Sequence, residues 1–285
     1  MEASTATNGA ASPATPPNKV IFFDLDDTLL ERETARLAGM KRLRDVFGPD
    51  VPAFASSSAR ELVSFWDQAR DFSRAKRRAI ARSARKEEDA YKTLTRVFWN
   101  MVLGNTSAYF PDLAVVDAGE EEENNSPSDD QLEACWRTYR DEYEEHIRAM
   151  PGAREALQRL RGAGYKIGIL TNGNTLSQRY NLCKVGLWHL VDGMVGLDTP
   201  GSRRKPNPDM FEVAMQQFNA PPETVMVGDS WRNDVMASKE VGLTPVWFVL
   251  EEREGKENVH VRLELYPEVK RIRNFEELLE YLGVE

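Results

Sequence analysis

At 285 residues with 41% apolar side chains, the chain can bury one large core or two modest ones, and two domains are expected. The formal charge of -9 is concentrated: Asp117, Glu120, Glu121, Glu122, Glu123, Asp129 and Asp130 supply seven acids in a stretch without a base, and the rest is nearly balanced. That distribution gives no footing for a nucleic-acid partner, and with no apolar run near the roughly 18 residues that span a bilayer, no membrane partner is expected either.

Residues 1–18 are mostly Ala, Ser, Thr, Pro and Asn, with no burial to offset the entropy of ordering them, and read as a disordered tail. They lack the charged start and apolar stretch of a signal peptide and the arginines of a transit peptide. Cys135 and Cys183 form no CxxC pair and no disulfide framework, so reduced thiols in a cytoplasmic protein are the natural expectation.

Val20-Ile21-Phe22-Phe23 is a short continuous apolar run that reads as a strand buried on both faces, and Asp24 and Asp26 follow at its carboxyl end. From Thr34 to about Ile147 helical periodicity replaces strand signals. Tyr91, Leu94, Phe98 and Met101 recur at helical spacing, as do Leu132, Trp136, Tyr139, Tyr143 and Ile147. An all-helical insertion over 33–148 is therefore expected, interrupted by an acidic mobile loop at 117–130. The basic stretch 70–86 reads as a solvated helix face, the alternative being attraction of an anionic substrate.

After Pro151 strand and helix alternate. Residues 153–160 read as helix, 165–170 as a buried strand ending in Thr171-Asn172-Gly173, and 224–227 as another ending in Gly228-Asp229-Ser230. In Lys205-Pro206-Asn207-Pro208, Asn207 is a good N-cap and Pro208 suits the first helical position, which fixes Lys205 on a loop ahead of a helix. Residues 246–250 should form a strand and 275–282 a closing helix, whereas 251–271 carry no clear pattern. The fold class is α/β: a Rossmann-like, mostly parallel sheet with helices on both faces, formed by 19–32 and 149–285. Ligands of such sheets bind beyond the carboxyl ends of the strands, where the polar residues gather.

Hydrolysis of a phosphate monoester needs a nucleophile, an acid for the leaving group and cations around the phosphoryl oxygens. Taken singly, Asp24 and Asp26 are equally a helix cap or a solvated turn, Thr171 an ordinary strand end, Lys205 a surface lysine, and Asp229 a cap for the next helix. Together, Asp24-Leu25-Asp26-Asp27-Thr28-Leu29, Leu170-Thr171-Asn172-Gly173, Lys205-Pro206-Asn207-Pro208 and Gly228-Asp229-Ser230-Trp231-Arg232-Asn233-Asp234 resemble, in order and spacing, the four motifs of the haloacid dehalogenase superfamily. The helical insertion resembles that family's C1 cap. Within the family the motifs are most similar to those of the N-acylneuraminate 9-phosphatases and related nucleoside monophosphatases.

The resemblance implies a magnesium-dependent phosphatase of a small phosphorylated metabolite, monomeric or homodimeric. Asp24 would be the nucleophile, Asp26 the general acid and base, and Thr171, Asn172 and Lys205 the groups that hold the phosphoryl oxygens, with Lys205 also neutralising charge. Asp24, the Asp26 carbonyl and Asp229 would bind the metal. Asp234 would ligate through water or orient Lys205. Three alternatives stay open: a dehalogenase on the same fold, a phosphatase acting on a terpenoid or isoprenoid phosphate, and a phosphate-accepting or binding module without turnover. Asp26 speaks against the first, because dehalogenation has no alcohol to protonate.

Overall fold

The computed structural model describes residues 19–80, 95–99, 101–102, 127–250 and 258–285. It divides into two compact units: 1–29 with 151–285, and 30–150. The tail expected at 1–18 lies outside the described residues, as do Tyr91, Leu94 and most of the acidic stretch.

The first unit is built on six parallel strands: β1 (Val20–Phe23), β2 (Lys166–Leu170), β3 (Gly193–Val195), β4 (Val225–Gly228), β5 (Thr244–Phe248) and β6 (Lys270–Ile272). Their spatial order is β3-β2-β1-β4-β5-β6. β1 is central: it pairs with β2 through Phe23↔Ile169 and with β4 through Phe23↔Val227. The chain thus runs outward on one side and then returns to build the other. This makes the carboxyl ends of β1 and β4 the switch point where such sheets bind ligands.

Every residue of β1 is buried because both faces are covered. On one face Phe22 meets Phe218 edge-on at 5.4 Å, within a cluster that includes Met210, Phe211 and Ala214 of α7 (Asp209–Phe218). On the other, Phe23 and Phe248 pack on Phe275, the first residue of α10 (Phe275–Leu282). Two strands were not visible in the sequence: β3 has only three residues, one of them buried, and β6 begins Lys-Arg at the sheet edge. α9 (Val259–Leu265) likewise falls in the stretch without a pattern.

The second unit is helical: α1 (Arg32–Phe47), α2 (Pro52–Ser56), α3 (Ala59–Ile80) and α4 (Asp129–His146), with residues 95–99 also helical. Ser58 and Glu61 cap the start of α3 reciprocally, Ser58 N–H donating to Glu61 Oε2 at 2.7 Å and Glu61 N–H to Ser58 Oγ at 3.2 Å. Its core is aromatic. Trp66 stacks on Tyr139 at 4.8 Å and meets Phe98 edge-on at 4.9 Å, while Phe54 meets Trp99 edge-on at 5.1 Å. Of the acidic loop expected at 117–130, residues 117–126 lie outside the described residues, and Asp129 and Asp130 are helical instead, forming the first turn of α4 behind a Ser128–Gln131 capping box. There their charges sit favourably at a helix N-terminus.

Candidate active site

Three strand ends bring the polar residues together. Asp24 follows β1, Thr171 follows β2 and Asp229 follows β4, and Asp24 N–H donates to Val227 O at 2.8 Å, tying the first strand end to the third. The helices α5 (Ala153–Gly162) and α6 (Thr175–Lys184) flank β2 in sequence. α7 begins one residue later than expected, with Pro208 at the N-cap. Asn207 still serves the helix start, its Oδ1 accepting from Asp209 N–H at 3.1 Å.

Lys205 is 1% exposed and its ammonium meets three oxygens: Asp24 Oδ1 at 2.7 Å, Asp234 Oδ1 at 2.6 Å and Leu170 O at 2.7 Å. Its three donors are thereby used. The loop carrying it is braced by Asn172, whose Oδ1 accepts from Lys205 N–H at 2.8 Å and whose Nδ2 donates to Lys205 O at 3.2 Å. The Asn172 side chain is thus committed to holding the lysine.

Asp229 is held through its backbone. Its N–H donates to Thr28 Oγ1 at 3.1 Å and its carbonyl accepts from the buried Trp247 indole at 2.9 Å. Beyond it, Trp231–Met236 form a π-helical turn that carries Asp234 back toward the strand end, a distortion frequent at functional sites. Asp234 Oδ2 accepts from Ser230 N–H at 3.0 Å. A Cβ on Gly228 would lie 2.4 Å from Asp234 Cβ, so only glycine admits this approach. For Asp234 the sequence offered ligation through water or orientation of Lys205; its Oδ1 accepts from the Lys205 ammonium.

Asp24, Asp229 and Asp234 each offer a carboxylate oxygen, all within 4.8 Å of one another. An oxygen-only donor set of this kind fits a hard divalent cation. Electrostatics point the same way. Burial pushes the Asp24 carboxyl from 3.8 up to about 7, against the pull of the Lys205 ammonium, with Asp234 and Asp26 adding to the rise. Burial alone would lower Lys205, but Asp234 and Asp24 outweigh it and hold the ammonium above the usual lysine range. One lysine therefore does not fully offset the burial of Asp24.

Gln178 carried no signal in the sequence. This α6 side chain is buried, and its Nε2 lies 3.1 Å from Asp26 Oδ2 and 3.2 Å from Thr171 Oγ1. An amide in a short polar helix reads as surface, and only the fold turns this one inward.

The glyceraldehyde 3-phosphate phosphatase of Pyrococcus furiosus is 38% identical over 104 residues, which is 36% of this chain and 43% of that relative, so the match spans less than half of the relative's length. The phosphatase of the same name from Methanothermobacter thermautotrophicus is 26% identical over 233 residues, covering 80% of this chain and 84% of the relative. The crystal structure of an HAD phosphatase from Thermococcus onnurineus superposes with a TM-score of 0.56 at 24% identity, covering 94% of this chain and 99% of that one; it shares the fold. The family model for haloacid dehalogenase-like hydrolases matches residues 18–242. With strand order, motif order and that match in agreement, the chain belongs to the haloacid dehalogenase-like hydrolase family.

Proposed function

We propose that this protein is a magnesium-dependent phosphatase that hydrolyses a small organic phosphate monoester through an aspartyl phosphate on Asp24. The single observation that carries the reading is the Lys205 ammonium clamped between Asp24 and Asp234 at the switch point of the sheet, within reach of the Thr171 strand end. A buried lysine so placed has little stabilising purpose, and it suits a site that must hold a dianion beside a carboxylate.

In the first half-reaction an Asp24 carboxylate oxygen attacks phosphorus and the ester P–O bond breaks. Asp26 gives its proton to the departing alkoxide, which leaves as the alcohol. In the second, the Asp26 carboxylate takes a proton from water, the resulting oxygen attacks the acyl phosphate, and inorganic phosphate departs with Asp24 regenerated. The net change is ester plus water to alcohol plus phosphate. Thr171 and the backbone near Asn172 hold phosphoryl oxygens, and Lys205 lowers the repulsion between nucleophile and phosphate. Asp24, Asp229 and the Asp26 carbonyl would hold magnesium, which would supply the positive charge that eases the approach of a carboxylate to an anionic phosphoryl group. Asp234 keeps Lys205 in position.

The two relatives are glyceraldehyde 3-phosphate phosphatases by name, which supports a small phosphate monoester as the substrate class here. Dehalogenation is disfavoured because Asp26 would have no leaving alcohol to protonate. The free Cys135 and Cys183 fit a reducing, cytoplasmic setting.

The test is para-nitrophenyl phosphate turnover with magnesium, with EDTA, and with magnesium restored. Activity should vanish and return, and Asp24→Asn should lower it roughly 10⁴-fold or more while leaving the circular dichroism spectrum unchanged. Turnover that persists in EDTA, or an Asp24→Asn variant near the normal rate, overturns the proposal.

A further inference from the structure

We propose that Gln178 is a positioning residue that sets the hydrogen-bond polarity of the site, orienting the Asp26 carboxyl and committing the Thr171 hydroxyl to donate outward to the substrate's phosphoryl group; this rests on the phosphatase reading above.

Gln178 lies four residues after Asn174, the N-cap of α6, and is only 6% exposed. Burying so long a side chain costs rotamer freedom, and its polar atoms must find partners in the interior. They do: Nε2 faces Asp26 Oδ2 and Thr171 Oγ1, and Oε1 accepts from Asn181 Nδ2 at 3.1 Å. Chemistry dictates which way the amide points. An ionised carboxylate only accepts, so the NH₂ end must face Asp26.

Two consequences follow for the neighbours. A threonine hydroxyl has two lone pairs and one proton. Thr171 Oγ1 accepts from Gly173 N–H at 3.0 Å and from Gln178 Nε2 at 3.2 Å, which fills both lone pairs. Its own proton is then left for a third direction and needs an acceptor, which a phosphoryl oxygen supplies. At Asp26, the N–H on Oδ2 fixes the orientation of the carboxyl group. Gly173 preserves the arrangement, since a Cβ there would lie 2.5 Å from Gln178 Nε2 and 2.7 Å from its Cγ.

Gln178→Leu keeps the size and removes both donors. In the magnesium-loaded enzyme, the single-turnover rate of phosphoryl transfer should fall about tenfold or more for an alkyl phosphate, whose alkoxide must be protonated, and less than about threefold for para-nitrophenyl phosphate, whose leaving group needs no proton. Calorimetry with inorganic phosphate should show Kd rising about threefold or more as the Thr171 proton is released to rotate. In an Asp26→Ala background, Gln178→Leu should add less than about threefold to the alkyl-phosphate defect. Should Gln178→Leu not fold, Gln178→Met, unbranched like glutamine and uncharged but with no N–H, is read by the same measurements. Equal losses with both leaving groups, an unchanged phosphate Kd, or full additivity with Asp26→Ala overturns the inference. An inactive wild type would instead sink the phosphatase reading, and the two failures are distinguishable.

Discussion

Among the described residues each unit buries one cation, and the two are buried differently. In the helical unit Arg36 pairs with Asp67 at 2.6 Å and with Glu33 at 3.7 Å; its side chain is 8% exposed, but those acids remain 36% and 31% exposed. In the sheet unit Lys205 is 1% exposed and its partners Asp24 and Asp234 only 10% and 2%. Arg36 joins α1 to α3 with acids that keep much of their water. Lys205 takes two acids into the interior, where desolvation can exceed the Coulomb gain and apolar replacements often do as well or better for stability. A fold seeking only stability has no reason to build the second arrangement, so the contrast separates a structural ion pair from one kept for chemistry.

The largest effect should come from Lys205→Met. It leaves Asp24 and Asp234 buried without their shared counter-charge, which should lower stability at neutral pH by about 3–5 kcal/mol in urea denaturation and abolish turnover. Arg36→Met is expected to cost about 1 kcal/mol or less, since Asp67 and Glu33 are solvated when released. If the two substitutions cost the same, the distinction drawn between the two cations is wrong.

The smallest effect marks the surface limit of the comparison. Asp198 is exposed and accepts from Thr175 N–H at 2.8 Å and Thr175 Oγ1 at 2.6 Å. Partial burial pulls its carboxyl up, but the two hydrogen bonds outweigh this and hold it below 3.8. A lowered carboxyl stabilises the native state above its ordinary value and loses that contribution as pH falls through the native one. Asp198→Asn should therefore cost no more than about 0.5 kcal/mol at pH 7, after solvent screening, and nothing in strong acid, as read from urea titrations at both pH values.

What the sequence revealed divides along physical lines. β1, β2 and β4 were legible because strands buried on both faces must be continuously apolar, and Val20–Phe23 and Val225–Gly228 are. Asp24, Thr171 and Asp229 were legible as polar residues closing such runs, and Lys205 through the prolines around it. β3 and β6 were not, because three-residue edge strands need few apolar side chains. Gln178 was invisible for another reason: its partners Asp26 and Thr171 are 152 and 7 residues away, and nothing local marks an amide for burial. Asp129 and Asp130 misled because a run of acids looks the same in a loop and in the first turn of a capped helix.

One contact at the base of the helical unit bears on how the chain is organised. Leu30 and Ala149 form an antiparallel bridge, and Glu31 N–H donates to Arg148 O at 3.0 Å. Antiparallel partners lie about 4.5–5.5 Å apart between Cα atoms, so the entry and the exit of a 121-residue excursion, 30–150, stand side by side. The first and last residues of the helical unit are thus pinned to each other within that unit, so the excursion begins and ends at one point along the path of the chain.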